Sequence, residues 1–586
     1  MSAADNTHKS EVRDGMQVDW DVPIPMDDGT VLRADVFRPT GDGRYPVLMY
    51  HGPYAKGLAF QDQPFRHAWD KMIRDFPEVA RGTTAKYMNW ESVDPEKWVP
   101  DGYVCLRVDS RGAGRSPGYL NIYSPRETDD YYACIEWAAR QPWSNGKVGL
   151  NGISYYATNQ WQVASRQPPS LAAMCVWEGA ADFYRDLYRH GGIVNAMILK
   201  WYPRQVVGVQ HGKGERAYRS YVTGELVSGP DTLSEEELAR NRADTEAEIL
   251  AHPLEDEFYT VRSPRFDRIT VPLLSAANWG GAGLHPRGNF EGYVRSATEQ
   301  KWLEAHGDSH YSPFYTDHGV ALQKRFFGHF LKGEDTGWAE QPPVELQVRH
   351  PGEKFVLRHE NEWPIARTQW TRFYIDPSDN SLRTTPVAAD AALTFEAMGA
   401  GALFLTPPLE AETEITGPVA AKLFVSSDTS DADLFLVLRV FDPAGKEVTF
   451  QGAVDPRTPV AQGWLRCSQR KLDPALTLPY RPYHAHDERW PLVPGEPVEV
   501  DVEIWPTCIV VPAGYRIGLH VRGKDYENDD PPLIVPGSPY AFTGVGGFTH
   551  DNPVDRPSAI FAGNTTLHFD AGRQPYLLLP VIPSKE

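Results

Sequence analysis

The stretch from Val148 to Trp161 reads VGLNGISYYATNQW. A short β-type run stops at Asn151-Gly152, Ser154 follows, and the residues after it read as helix. A serine on such a corner has its hydroxyl lifted above the edge of a sheet. The helix start behind it aims backbone N–H groups at a developing oxyanion. The chemistry this suits is nucleophilic attack on an acyl carbonyl. The flanking positions must be small because strand and helix nearly touch there. They hold Gly152 and Ala157, the second one methyl larger than the usual glycine. The plainer reading is a buried serine that caps the helix.

A serine nucleophile needs a base, usually histidine. The chain has 18 histidines, so position must choose among them. On an α/β-hydrolase sheet the histidine comes last, after the final strand. KWLEAHGDSHYSPFY fits, with KWLEAH as that strand, His306 at its end and His310 in the turn beyond Gly307-Asp308-Ser309. His310 is favoured over His306.

The elements that must position these residues follow from the pattern. YPVLMYHGPY, YVCLRVDSRG, KVGLNGIS, LAAMCVWEGAADFY and VPLLSAANWGG read as strands, and TDDYYACIEWAARQP as a helix with Asp129 and Asp130 in its first turn. Strands alternating with helices predict a parallel sheet. Between 195 and 262 the β signal vanishes; DTLSEEELARNRADTEAEILAH is charged and helical, opened by a capping-box-like Ser234-Glu235-Glu236-Glu237. An insertion of this kind predicts a lid over the ligand site. After about 340, short strands recur between Pro/Gly turns, which predicts an all-β domain, sandwich or jelly roll. The expected architecture is an α/β-hydrolase core (1–194 and 263–340), a helical lid (195–262) and a C-terminal jelly roll (341–586).

At this point the chain resembles the CocE/NonD-type hydrolases, the superfamily of cocaine esterase, α-amino-acid ester hydrolases and X-Pro dipeptidyl peptidases. HGPYAKG resembles the family's oxyanion loop and RVDSRGAGRSPG its Asp-x-Arg-Gly-x-Gly turn. GISYYA resembles its nucleophile elbow, GDSHYSP its histidine turn and PYLLLPVIP its closing strand. The resemblance implies a two-part oxyanion hole, the backbone N–H of Tyr155 and the hydroxyl of Tyr54. A phenol is a good donor, and Tyr54 sits in the loop after the strand that ends near Tyr50. The plainer reading of Tyr54 is an aromatic lining a pocket.

The pattern breaks at the acid. The family carries Gly-Trp-Tyr-Asp after the penultimate strand. This chain has Asn278-Trp279-Gly280-Gly281, so glycine stands at the aspartate position. Glycine can neither orient an imidazole nor stabilise its cation, and losing the acid of a Ser-His-Asp triad costs about 10⁴ in kcat. Glu178, at the end of AAMCVW, keeps the order serine, acid, histidine and is favoured. Asp308, Asn278 and Glu291 stay open, and a salt bridge from Glu178 to Arg185 is the structural alternative. Asp308 stands in a turn whose carboxylates usually bond local N–H groups.

Composition bounds the partners. The formal net charge is −20, which argues against nucleic acid or an anionic membrane. No run approaches a membrane span, and the polar N-terminus and five scattered cysteines suit a reducing cytoplasm. HAHDE (484–488) has no second ligand cluster and is read as structural. Neither RGAGRSPG nor GGAGLHPRGNFEG is a phosphate loop, although His285 within the latter could support the site. LQKRFFGHFLKG reads as an amphipathic core helix. The expectation is an esterase for a small or medium, apolar ester, with no cofactor and no metal. Whether it forms a homo-oligomer is left open. The alternatives are an X-Pro dipeptidyl peptidase or α-amino-acid ester hydrolase, with Asp182 and Asp186 as ammonium ligands, and an impaired glycan- or protein-binding protein.

Overall fold

The computed structural model describes residues 8–62, 64–387, 390–534 and 541–583. Its first sheet has eleven strands: β1 (Lys9–Arg13), β2 (Met16–Pro25), β3 (Val31–Pro39), β4 (Tyr45–Gly52), β5 (Val104–Asp109), β6 (Ser144–Ile153), β7 (Leu171–Trp177), β8 (Leu273–Asn278), β9 (Lys301–His306), β10 (Val344–His350) and β11 (Lys354–Glu360). Their spatial order is β1-β2-β3-β5-β4-β6-β7-β8-β9-β10-β11. Every pair from β5 to β10 is parallel, and the antiparallel pairs lie at the two ends.

A parallel sheet needs cover on both faces, and the strand sequences supply apolar residues to both. Val47, Met49, Leu106, Leu150, Met174 and Leu273 join one buried cluster. Their immediate neighbours Leu48, Cys105, Cys175 and Leu274 join another. The first face is covered by helices α2 (Pro125–Ala139) and α3 (Tyr155–Ala164), through Cys134, Ile135 and Trp161. The second is covered by α5 (Asp317–Phe327), through Leu322, Phe326 and Phe327.

Two expectations change here. β10 and β11 lie beyond residue 340, yet β10 pairs in parallel with β9, so the first sheet runs on to Glu360 before the β domain begins. Helix α2 starts earlier than its acidic pair suggests. Ser124 accepts the Glu127 N–H, which puts Asp129 and Asp130 in the second turn. Asp130 is buried and pairs at 2.7 Å with Arg111, which also holds Asp28 at 2.8 Å.

Two long insertions leave the sheet at the ends of its strands. One, between β4 and β5, carries α1 (Arg66–Asp75) and was not singled out by the sequence pattern. The other, between β7 and β8, contains the 195–262 segment. There short helices dominate, and Ser234 and Glu237 form a reciprocal capping box. Between β8 and β9 lies α4 (Pro286–Arg295).

The C-terminal region is a second eleven-stranded sheet. Strand Tyr576–Ile582 pairs with both Gln369–Asp376 and Thr413–Ser427, so the sheet closes on itself. Closure is thin at two seams, Ser381 with Leu405 and Gly463 with Ile504, each a single registered pair. Alternate residues such as Leu434, Leu436, Leu438 and Val440 fill its interior.

Candidate active site

Ser154 stands between β6 and α3 with φ 60° and ψ −113°. This region is costly for a non-glycine residue, typically ~1–3 kcal/mol. The Ser154 N–H holds it there by donating to the carbonyls of Trp177 (3.2 Å) and Glu178 (3.1 Å). The hydroxyl makes no cap bond to the helix, so the plainer reading of Ser154 fails. Gly152 is required, since a Cβ there would lie 2.5 Å from Tyr156 Cβ. Ala157 fits because residue 179 is glycine: a Cβ at Gly179 would lie 2.9 Å from the Ala157 methyl.

Glu178 and His310 are brought together. Glu178 follows β7, whose last residue Trp177 is in register with Ile153 of β6 and Ala276 of β8. Its carboxylate is therefore one strand nearer the serine than the usual acid position. Glu178 Oε2 lies 2.7 Å from His310 Nδ1, and Glu178 Oε1 lies 3.1 Å from His306 Nε2. His306 Nδ1 lies 2.6 Å from Glu304 Oε2, and His310 Nε2 lies 3.0 Å from Glu91 Oε1. Glu304, His306, Glu178, His310 and Glu91 thus form an alternating buried chain.

Burial alone would raise the Glu178 pKa, but the imidazoles of His310 and His306 overcome it and bring the carboxyl down to about 2. Burial would lower both histidines. Glu178 and Glu91 instead push His310 up to about 10, and Glu304 with Glu178 does the same for His306. Burial raises Glu91, with His310 opposing it.

The other acid candidates are occupied elsewhere. Asn278 Nδ2 donates to Glu178 Oε1 (3.2 Å) and to the Asp308 carbonyl (2.8 Å). Asp308 Oδ1 accepts the N–H of Ser309. Glu291 pairs with Arg481 at 2.5 Å. Gly281 lines the cavity but is cramped, for a Cβ there would lie 3.0 Å from Pro286 Cδ. Arg185 pairs with Asp182 (2.8 Å) and Glu255 (2.6 Å). Asp186 pairs with Arg287 at 3.0 Å, and neither Asp182 nor Asp186 lines the cavity.

Two further residues face the same cavity: His285, which the sequence offered only as support for the site, and Glu91, which it did not assign. His285 Nε2 lies 3.2 Å from Ser154 Oγ, and its ring stacks on His310 at 5.2 Å between centroids. Its Nδ1 accepts the Ala180 N–H at 3.0 Å, which puts the ring proton on Nε2, facing the serine. Burial, then the neighbouring His310, hold its pKa well below the usual value. Glu91 comes from the β4–β5 insertion with φ 60°. No spacing in NWES marks it; only its place in the fold does.

Ser154, His310, His285, Glu91 and Tyr54 all face one cavity of about 640 Å³. Its walls come from both insertions and from the β domain, through Ala453, Val454 and Phe548. The Tyr54 ring meets Tyr155 edge-on at 5.8 Å. Burial, then Glu91, push the Tyr54 phenol up, so it keeps its proton as a donor. Tyr155 heads α3, where an N–H has no partner within the helix, while its own hydroxyl donates to Glu127 at 2.6 Å. Among the described residues no His/Cys/Asp/Glu group could hold a metal, and His484 and His486 are buried, with His486 bonded to Gln469. Nor is any described helix long and apolar enough to cross a membrane.

Comparison with known proteins fits this geometry. The profile of the X-Pro dipeptidyl-peptidase (S15 family) matches residues 28–312, and that of the X-Pro dipeptidyl-peptidase C-terminal non-catalytic domain matches 336–578. Cocaine esterase of Rhodococcus sp. is 25% identical over 87% of this chain and 91% of its own. An Xaa-Pro dipeptidyl-peptidase of Streptococcus gordonii is 19% identical over 85% of this chain and 72% of its own. The crystal structure of a CocE/NonD family hydrolase from Staphylococcus aureus superposes with a TM-score of 0.82 at 30% identity, covering 98% of this chain and 96% of that one. With that likeness running from end to end, and with catalytic and C-terminal profiles in the same order, the chain belongs to the CocE/NonD family of hydrolases and is a serine hydrolase.

Proposed function

We propose that the protein is a carboxylic ester hydrolase acting through an acyl-enzyme. Its core is read as an α/β-hydrolase sheet, the 195–262 insertion as a lid and the closed β domain as a jelly roll. Ser154 attacks the acyl carbonyl; His310 takes its proton and returns it to the leaving alcohol. Glu178 orients His310 and stabilises the imidazolium, and the Tyr54 hydroxyl and Tyr155 N–H hold the oxyanion. Water then releases the acid. The observation that carries this reading is the 2.7 Å contact of buried Glu178 with Nδ1 of His310, which lines the same cavity as Ser154. His306 supports it, because its hydrogen bond adds to the pull of His310 in keeping so buried a carboxylate ionised.

At rest His310 Nε2 faces Glu91, so the contact must be exchanged for Ser154 before proton transfer. The peptidase and aminoacyl-ester reading stands as the alternative, since both matching profiles are of X-Pro dipeptidyl-peptidases, but Asp182 and Asp186, paired with arginines, do not supply its ammonium ligands. The test is a fluorophosphonate probe with the adduct located by peptide mass spectrometry. A single adduct on Ser154 is expected, and Glu178→Gln should lower kcat by about 10³–10⁴ without unfolding the protein. A folded sample with no adduct, or a fully active Glu178→Gln, would sink the reading.

A further inference from the structure

The cavity is apolar within and basic at its rim, on a chain whose formal net charge is −20. His67, Lys71 and Arg74 fall at i, i+4 and i+7 of α1 and so share one face, and all three line the cavity. Trp69 and Met72, on the other side of the helix, are buried in the core. The second insertion contributes Arg204, whose charge reaches His67. Lys71 (2.6 Å) and Arg74 (3.1 Å) share one partner, Asp75, and Arg204 has no ion pair among the described residues. Glu353, near Lys71 but outside the cavity wall, accepts the Gln451 N–H at 2.6 Å. The lone acid on the described wall is Glu91, buried and bonded to His310. A substrate reaching Ser154 therefore meets three cations that Asp75 offsets only in part, against one wall carboxylate, Glu91, set beside His310.

We infer that the site selects esters carrying a carboxylate remote from the scissile carbonyl, bound by Arg204 with Lys71 and Arg74. This rests on the ester-hydrolase reading and names its substrate class. Aromatic side chains such as Phe65, Trp90 and Trp201 take the chain between the two ends. A fixed cation at the rim favours an anionic substrate by attraction, and it disfavours a cationic one by the same field. Guanidinium groups suit this role because they offer paired donors to a carboxylate.

The experiment compares kcat/KM for three esters of equal chain length: nitrophenyl octanoate, the nitrophenyl monoester of suberate and the nitrophenyl ester of ω-aminooctanoate. The suberate monoester should lead octanoate by about fivefold, with the ammonium ester last. That lead should shrink as ionic strength rises. Arg204→Gln, and Lys71→Gln with Arg74→Gln, should bring the ratio of anionic to neutral ester close to one. A second series, phenyl acetate against acetylated hydroxybenzoate, places the charge on the alcohol side. No anionic preference in either series, or a preference untouched by the variants, overturns the inference. If no ester is turned over, the hydrolase reading fails separately, and calorimetric titration with suberate still decides. Binding weakened about fivefold by Arg204→Gln keeps the subsite, and no binding removes it.

Discussion

His310 is held by carboxylates on both ring nitrogens, and that sets how its proton moves. Either the ring carries both protons or Glu91 carries one, since Nε2 and Oε1 face each other at 3.0 Å. Glu178 and Glu91 outweigh burial and lift His310 to about 10. Its remaining neighbours, the stacked ring of His285 and the more distant His306, do not offset them. A base with a raised pKa is protonated below it, so kcat/KM should climb with pH through the alkaline range. Glu91→Gln removes one attracting charge and offers an amide N–H to Nε2. The climb should then move to lower pH, and an unmoved pH profile of kcat/KM would refute the coupling. His285 poses the other question at this scale, because it is the imidazole bonded to Ser154. With Nδ1 accepting the Ala180 N–H, its Nε2 is a donor and cannot serve as the base. His310→Gln should abolish probe labelling, while His285→Gln, which keeps a donor, should retain it within about tenfold. The reverse pattern would make His285 the base.

At the scale of elements, the elbow is a fitted joint between β6, β7 and α3. Its small positions form a set: Gly152 clears Tyr156, and Gly179 makes room for the methyl of Ala157. Gly179→Ala should destabilise the protein by about 1–3 kcal/mol, read by thermal or denaturant unfolding. The added methyl also meets Val176 Cγ1, so Ala157→Gly in the same chain should recover only part of the loss. An unchanged midpoint for Gly179→Ala would show that the joint is looser than it looks. The sequence made β6, the serine corner and α3 legible, because a buried strand, a small residue and a helical run are local patterns. The Glu178 contact was legible only as a choice among acids. Its selection rests on the register of β7 between β6 and β8, which a single strand's sequence does not carry.

The whole molecule closes the site. The cavity takes walls from two insertions of the first domain and from the β domain, so the relative placement of the domains is part of the site. Buried arginines fix that placement. Arg189 of the second insertion pairs with Asp555 of the β domain at 2.8 Å, and Arg466 pairs with the same carboxylate at 2.9 Å. Arg287 of α4 spans Asp186 and Glu503, each at 3.0 Å. Burial would raise the Asp555 pKa, but Arg466 and Arg189 bring it down to about 2. A depressed carboxylate stabilises the fold above its ordinary range and loses that contribution as pH falls towards the lowered value. Asp555→Asn should cost about 3 kcal/mol at neutral pH, because it strands the buried Arg189 guanidinium, while Arg466 keeps Asp433. It should also flatten the stability profile between about pH 4 and 2. A wild-type midpoint across that range would remove the junction from the stability account.

The sequence by itself determined the parallel sheet, the serine on its corner, the histidine turn and the all-β C-terminal region. Each is written in short-range periodicity or in a turn of a few residues. It also determined that no carboxylate stands at Gly281. Tertiary structure brought Glu178 from the neighbouring strand to His310 Nδ1, where the imidazoles of His310 and of His306, the second weighed in the sequence only as a rival base, keep the carboxyl ionised. It decided too that Glu91, His285 and the basic face of α1 meet around one cavity. These residues are spread over more than 200 positions and share no spacing. A charge becomes a binding group or a proton partner only through what lies within a few ångströms of it, and strand order and domain packing set that distance.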